Sequence, residues 1–369
     1  MKITVNKTEF SNVISYVMGA CAGRGANAAL ECIMIKAAGN MIELTTYDNS
    51  KGIKATCEAK VEEEGGILVK GERLNTITKN MPSGEFTIAT DERNTVSIYS
   101  GRTKFEVAGL PYTSFPLLPT LVTDKSFTLS QGQLKKLLSM VMFSFAQTDI
   151  KPILTGVLFE LEEKLLKICS CDGYRVSLCK EIVPVSEDLS YTFIVPGKTL
   201  IELYRLMKDG EEKIKITIAP KHVGFYFNDI MMFSRKLDGS YIDYESTFQK
   251  VAATTAIVDL GALSDSVDRS ALILDEKVKK GIKVIFSDDS IKINCETANG
   301  KINEEVPAKI EGEEVLLGMN QKYLSEALRA AEIAGEEKVV IKIRSNIHGV
   351  MILPEDNDNF TYMVLPLRL

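Results

Sequence analysis

Basic side chains on the polar sides of predicted helices are the residues best suited to chemistry in this chain, and that chemistry is the holding of phosphate. Lys198, Arg205 and Lys208, with Glu202 among them, lie off an apolar stripe of Leu200, Leu203, Tyr204 and Met207. Lys70, Arg73 and Lys79 accompany Leu74, Ile77 and Met81, and Lys322 and Arg329 accompany Leu324, Ala327, Leu328 and Ala331. Lys135, Lys136 and Arg269 extend the set. A helix of about ten residues is about 15 Å long. Several such helices facing one cavity would offer cations to a phosphate backbone without reading bases. For any single helix the plain alternative is a solvated face. The same bias in three places is what favours the phosphate reading.

Residues for catalysis do not assemble in the same way. The stretch Gly19-Ala20-Cys21-Ala22-Gly23-Arg24-Gly25 is rich in glycine, but it lacks a Gly-Lys-Ser/Thr ending and follows a helix rather than a strand. It reads as a connection whose Arg24 can reach a phosphate. The chain has two histidines, His222 in a polar turn and His348 beside Gly349, so a Ser–His–Asp set has little to draw on. The carboxylates Asp288-Asp289, and Asp356 with Asp358, fall in turn-like sequence. Seven scattered cysteines with no Cys-x-x-Cys pair argue against zinc and for reduced thiols. The expectation is a binding protein rather than an enzyme, with no cofactor and no metal.

Three segments share the pattern that must position these groups. Ile3, Val5, Asn6 and Phe10 are spaced like Phe127, Leu129, Ser130 and Leu134, and like Ala256, Val258, Asp259 and Leu263. In each, an apolar pair precedes a helix-capping residue and then an amphipathic helix. The copies recur roughly every 125 residues, a domain-sized period. A second helix follows in each copy, after Val69, Val195 and Met319. Hairpins lie between, such as Cys32–Lys36 with Met41–Thr46 and Gly156–Leu161 with Leu165–Ser170. Leu30 and Leu154, and Asp48 and Asp172, match at one offset. Each copy is therefore an α+β unit of strand, helix, strands, helix and strands. Three copies of one domain make an arc, and arcs suggest rings.

Proline and polar residues place the joints at Pro116–Lys125 and Ser246–Thr255, giving domains at 1–120, 126–247 and 254–369. The run Glu62-Glu63-Glu64-Gly65-Gly66 reads as a solvated turn. A net charge of −6 argues against a general nucleic-acid coat but allows one basic face on an acidic body. The N-terminus enters a strand-like pattern directly and no apolar run is long enough for a bilayer, so a cytoplasmic protein without membrane contact is expected. The tail from Tyr362 to Leu369 is apolar to its end, which suits a sheet or a groove. Phe105 and Val107 alternate on a strand ending at Gly109, and Leu272 and Ile273 follow the third capped helix. Core packing and a subunit interface both account for them.

Short motifs in order along the whole chain resemble the bacterial sliding-clamp family, the beta subunit of the replicative DNA polymerase. They are Met1-Lys2-Ile3-Thr4-Val5, Gly101-Arg102 running into Leu110-Pro111, Phe115-Pro116 and Phe145-Ala146. Asp172-Gly173-Tyr174-Arg175, Val195-Pro196-Gly197-Lys198, Asp238-Gly239 with Asp243-Tyr244, and the Leu-Pro-x-Arg-Leu ending complete them. The resemblance implies three clamp domains per chain and a closed homodimeric ring of six, with helices lining a hole that takes duplex DNA without regard to sequence. It implies DNA contacts at Arg24, Arg73, Lys198 and Lys151. It implies a pocket between the second and third repeats for short Gln/Leu/Phe peptides of the polymerase alpha subunit, clamp loader, translesion polymerases and repair proteins. The matching positions are Leu154, Cys171, Gly173, Tyr174, Arg175, Val176, Ile242, Thr247, Tyr323, Met363 and Leu365. Phe105 and Val107 would meet Leu272 and Ile273 of the other chain. Tyr174 stands where the family commonly has histidine, Ile242 where it has proline, Ser246 where arginine is frequent, Leu365 for methionine and Cys171 for threonine, so an altered peptide preference is expected. The alternative is a repeat-built peptide scaffold that encircles nothing.

Overall fold

The computed structural model describes residues 1–23, 27–123, 125–148, 150–187, 189–249, 251–274, 281–298 and 300–368. Among these are six α-helices: α1 (Lys7–Val17), α2 (Gly71–Asn80), α3 (Gln131–Ser139), α4 (Gly197–Leu206), α5 (Leu260–Ala271) and α6 (Gln321–Ala334). Each follows a strand directly or within one residue, two helices to each repeat of the sequence pattern.

Two of the expected caps, at Asn6 and Asp259, form. The Asn6 side-chain oxygen accepts the N–H groups of Thr8 and Glu9 at 2.9 and 3.3 Å, and Asp259 accepts that of Ala262 at 2.8 Å. Asn320 accepts from Tyr323 at 3.2 Å to start α6, and Gly335 at φ 100° ends it. A cap of this kind contributes about 1 kcal/mol. Burial contributes more. Phe10, Val13, Ile14 and Val17 of α1 are buried, and Phe10 meets Phe86 edge-on at 5.6 Å. Leu263 and Val267 of α5 and Leu324 and Leu328 of α6 are buried where these two helices pack together. Each large apolar side chain removed from water stabilises by about 1.5–3 kcal/mol. Short helices like these depend on such packing more than on propensity.

The chain divides into two compact units, Met1–Gln131 with Glu202–Lys236, and Gly132–Ile201 with Leu237–Leu369. Each is built on one continuous antiparallel sheet. In the first unit, strands of the first repeat run on into those of the second through Lys51–Glu58 and Ile230–Arg235, with Ala55 opposite Ile230 and Lys51 opposite Ser234. In the second unit, the second repeat joins the third through Arg175–Ile182 and Phe360–Val364, with Cys179 opposite Phe360 and Arg175 opposite Val364. Both junctions thus use the same two strands of the repeat. The apolar tail is tied down as expected: Phe360–Val364 is a strand, and the Leu367 N–H donates to the Gly318 carbonyl at 2.7 Å.

The acidic run departs from the sequence expectation. Glu62 and Glu63 belong to the strand Lys60–Glu63, and Gly65 opens the strand Gly65–Lys70, leaving only Glu64 between them. Glu63 stands opposite Lys2 in the ladder, and the Lys2 ammonium pairs with Glu62 at 2.6 Å. A cation on the neighbouring strand removes the like-charge repulsion that made a strand improbable from sequence.

Candidate partner pocket and phosphate-facing residues

The repeat junction of the second unit is organised by a tight turn at Asp172. Its Oδ1 accepts the N–H groups of Tyr174 and Arg175 at 2.9 and 3.1 Å, and its Oδ2 accepts Arg175 Nε at 3.0 Å. Gly173 takes φ 90°, a conformation that strains other residues, and its N–H donates to Cys171 Sγ at 3.2 Å. Tyr174 is left 63% exposed, while its carbonyl accepts the Leu365 N–H at 2.9 Å. Behind the turn one apolar cluster gathers Leu154, Cys171, Val176 and Met363, with Ile242 and Leu365 half-buried against it. Thr247 sits at its margin beside Phe248, its hydroxyl donating to the Tyr244 carbonyl at 2.6 Å. Tyr323 joins through Arg175, whose guanidinium lies 4.1 Å from the Tyr323 ring centre.

Arg175 is only 6% exposed. Besides Asp172 it donates to Glu326 and to the Phe143 carbonyl, and it also lies over the Phe143 ring at 5.2 Å. A buried guanidinium between two carboxylates is neutralised where it stands, so it braces the Asp172 turn rather than offering charge to a ligand. Burial pushes the Cys171 thiol up from its ordinary value, partly offset by the Gly173 N–H and by the charge of Lys151. At neutral pH it is a thiol and acts as a small apolar group.

Sequence reasoning missed several members of this site. Tyr244 and Met351 are in the cluster, with Tyr241 and Phe248 packed against it. Asp243-Tyr244 was noticed as a motif, but nothing in the sequence brings Met351 or Glu326 to it. A cavity of about 1060 Å³ lies alongside, bounded by Gly239–Glu245 and the strands carrying Glu160, Glu162 and Thr192.

The first unit holds the equivalent junction, with two aromatic rings at its centre. Asp48 builds the same turn, accepting the N–H groups of Ser50 and Lys51 at 3.0 and 2.8 Å and the Lys51 ammonium at 2.8 Å. Tyr47 takes the place of Cys171, Gly52 that of Val176 and Phe233 that of Met363, Gly52 facing Phe233 as Val176 faces Met363. The Phe233 ring lies 5.7 Å from that of Tyr47 and covers Gly52. Two aromatic rings occupy the space that the second unit leaves to a thiol and a thioether.

Of the basic residues, Arg73 on α2 and Lys198 on α4 are exposed and make no ion pair among the described residues. Lys151 is exposed next to the turn Pro152–Thr155, close enough to Cys171 to act on its thiol. Arg24 lies outside the described residues. Several others are paired: Lys70 with Glu31 at 3.0 Å, Arg269 with Glu304 at 2.6 Å, Arg329 with Asp268 at 2.8 Å and Lys322 with Glu326 at 3.9 Å. Arg205 pairs with Glu202 and donates to the Ser15 carbonyl at 3.0 Å. Exposed pairs contribute only about 0–1 kcal/mol, so phosphate competes with them readily. Among the described residues no group of carboxylates, histidines and cysteines is arranged to hold a metal, and no helix is long and apolar enough to cross a membrane.

Two strand edges complete the inventory. Thr103–Ala108 pairs on one side with Thr95–Ser100, and Gly300–Pro307 on one side with Ser290–Thr297. The opposite edge of each has no strand partner among the described residues. Phe105 is half-buried and Val107 buried on the first. Beside the second, Leu272 is 82% exposed, and the Ile273 carbonyl accepts the Thr297 hydroxyl at 2.8 Å.

Models of the N-terminal, central and C-terminal domains of the DNA polymerase III beta subunit match residues 1–119, 128–243 and 246–368. The beta sliding clamp of Staphylococcus aureus strain Mu50 is 28% identical over 379 residues, covering 100% of this chain and 99% of that protein. The Staphylococcus epidermidis beta sliding clamp is 27% identical over 378 residues with the same coverage. The crystal structure of the DNA polymerase sliding clamp from Bacillus subtilis matches with a TM-score of 0.96 at 26% identity, over 100% of this chain and 99% of that one. Three clamp domains in tandem, each with two helices and strands of a shared sheet, define the class as DNA sliding clamp. Within that class the chain belongs to the DNA polymerase III beta subunit family. Its role is that of a processivity factor, and the scaffold alternative has no support.

Proposed function

We propose that two copies of this chain close into a ring of six clamp domains, bounded in each chain at 1–120, 126–247 and 254–369, that slides on duplex DNA. The observation that carries this reading is the pair of open edges. Each within-chain junction joins one particular strand of a repeat to the last strand of the next. The first repeat's last strand, Thr103–Pro111, and the third repeat's strand Gly300–Gly312 are the two left without that partner. A two-fold pairing of copies satisfies both edges at once and removes an aggregation hazard.

The repeat also supplies a register. Thr103 follows its hairpin as Ile230 does, and Gly300 corresponds to Arg175 and Lys51. Carrying over the Ile230–Ala55 pairing sets Phe105 opposite the partner subunit's Ile302 and Glu106 opposite the partner subunit's Lys301. The first pair is apolar on the half-buried face and the second is oppositely charged on the exposed face. Leu272 and Ile273 flank the same joint.

Arg24, Arg73, Lys151 and Lys198 make weak, salt-sensitive contacts to duplex phosphates, while the acidic remainder repels DNA. The ring performs no chemical step. It works in the cytoplasm as a tether, holding the polymerase alpha subunit, clamp loader, translesion polymerases and repair proteins by Gln/Leu/Phe peptides in the Cys171–Met363 pocket.

The test is a double variant, Glu106→Cys with Lys301→Cys, oxidised in the presence of closed circular plasmid. Opposed residues of an antiparallel pair have Cα atoms about 4.5–5.5 Å apart, within disulfide reach. Covalent dimers should form and stay on the plasmid in high salt until it is linearised. The diagonal pair Glu106→Cys with Asn303→Cys, about 7–8 Å apart, should react poorly. Equal reaction of both pairs would refute the register, and release from closed plasmid would refute encirclement.

A further inference from the structure

We propose that Glu326 is a positioning residue of the partner pocket, acting through Arg175. The inference rests on the pocket reading above and deepens it. Arg175 belongs to the second repeat and Glu326 to α6 of the third, so the pocket wall is fixed by a charge contributed across the repeat junction of the second unit. Three N–H groups of the guanidinium are held, by Asp172, Glu326 and the Phe143 carbonyl, and Tyr323 lies 4.1 Å from it. Tyr323 and Glu326 are three residues apart on α6, so one helix face supplies both the ring and the carboxylate.

The same guanidinium holds the Asp172 turn, and that turn sets what the pocket presents. It directs Tyr174 outward, lends the Tyr174 carbonyl to Leu365, and holds the Gly173 N–H on the Cys171 sulfur. Without the Glu326 charge, a guanidinium that is 6% exposed keeps one carboxylate instead of two. A buried charge left short of partners moves toward water. The turn follows it, and the pocket loses its wall although Glu326 touches no peptide.

The experiment uses the full-length protein and a fluorescein-labelled Gln-Leu-Ser-Leu-Phe peptide followed by anisotropy. Glu326→Gln keeps the shape and removes the charge. It should weaken peptide binding about tenfold, the effect of one charge-assisted hydrogen bond. Glu326→Asp, which restores the charge, should recover part of the loss. Lys322→Gln, on the exposed side of the same carboxylate, should stay within about twofold, because it leaves the Glu326–Arg175 pair intact. A second readout needs no peptide: alkylation of Cys171 by iodoacetamide, mapped by mass spectrometry, should quicken several-fold in Glu326→Gln as the turn loosens. Unfolding temperature and native mass exclude a folding defect. Wild-type protein that binds no peptide would overturn the pocket reading and this role with it. Wild-type binding, with Glu326→Gln unchanged in affinity and Cys171 reactivity, would overturn the positioning role alone. A loss in Lys322→Gln equal to that in Glu326→Gln would overturn it as well, since the effect would then be the general charge of α6.

Discussion

The aromatic junction of the first unit predicts a pair of substitutions whose effects cancel. A Cβ on Gly52 would stand 2.3 Å from Cζ and 2.5 Å from Cε1 of Phe233. Ordinary carbon contacts are about 3.5–4.0 Å. The ring has no room to swing, since Phe233 is 1% exposed and stands against Tyr47. Gly52→Val adds two further carbons to the clash and should cost about 3 kcal/mol, the upper end for overpacking. Phe233→Met leaves a void and should cost about 1–2 kcal/mol. Independent effects would sum to about 4–5 kcal/mol. The double variant instead reproduces the Val176–Met363 pair of the second unit, so it should cost about 1 kcal/mol, a coupling of about 3 kcal/mol. Differential scanning calorimetry would read this as a drop of about 6–12 °C in the first unit's transition for Gly52→Val, most of it recovered in the double variant. Costs that add to within about 0.5 kcal/mol would refute the packing argument and the equivalence of the two junctions.

Further expectations concern DNA, acid and the pocket thiol. Arg73→Ala with Lys198→Ala should weaken retention on closed circular DNA and lower the salt slope by about 1.8 per chain, without changing native mass; an unchanged slope would remove both from the DNA contacts. Burial pushes the Asp268 carboxyl up, but the Arg329 guanidinium and the Ser325 hydroxyl outweigh it and hold the group below its usual range. Its contribution is therefore present above the unfolded carboxylate value of about 3.9 and is lost as pH falls through the lower folded value. Asp268→Asn should flatten the fall in unfolding temperature over that acid interval and cost under about 1 kcal/mol at pH 7, the pair being partly exposed; parallel pH profiles would exclude the linkage. Burial raises Cys171, so its alkylation at pH 8 should be slower than that of a free thiol and slower again with saturating peptide. Equal rates with and without peptide would place the peptide elsewhere.

What was legible in the sequence was local or repeated. Asn6, Ser130 and Asp259 announce helices because a capping side chain bonds to N–H groups two or three residues away. Asp48 and Asp172 match because each closes its turn on the residues immediately following. Gly173 and Leu154, Cys171, Val176 and Met363 were reachable through the family resemblance, which preserves positions along the chain. The acidic run at Glu62 was misread because the cation that makes it a strand, Lys2, comes from a distant part of the chain.

The sequence by itself determined the repeat, the α+β pattern of each copy, the caps, and a basic bias on helix faces, all set by contacts within a turn or a hairpin. Only the tertiary structure decided which cations remain free. Among the described residues Arg73 and Lys198 make no ion pair, while Arg269 and Arg329 meet carboxylates far along the chain. It alone distinguished the aromatic junction of the first unit from the thiol and thioether junction of the second, because Tyr47 and Phe233 meet only when strands pair across the repeat boundary. It also brought Glu326 to Arg175. Each of these is an interaction between residues that no local spacing links, and its energy exists only once the strands have paired in register.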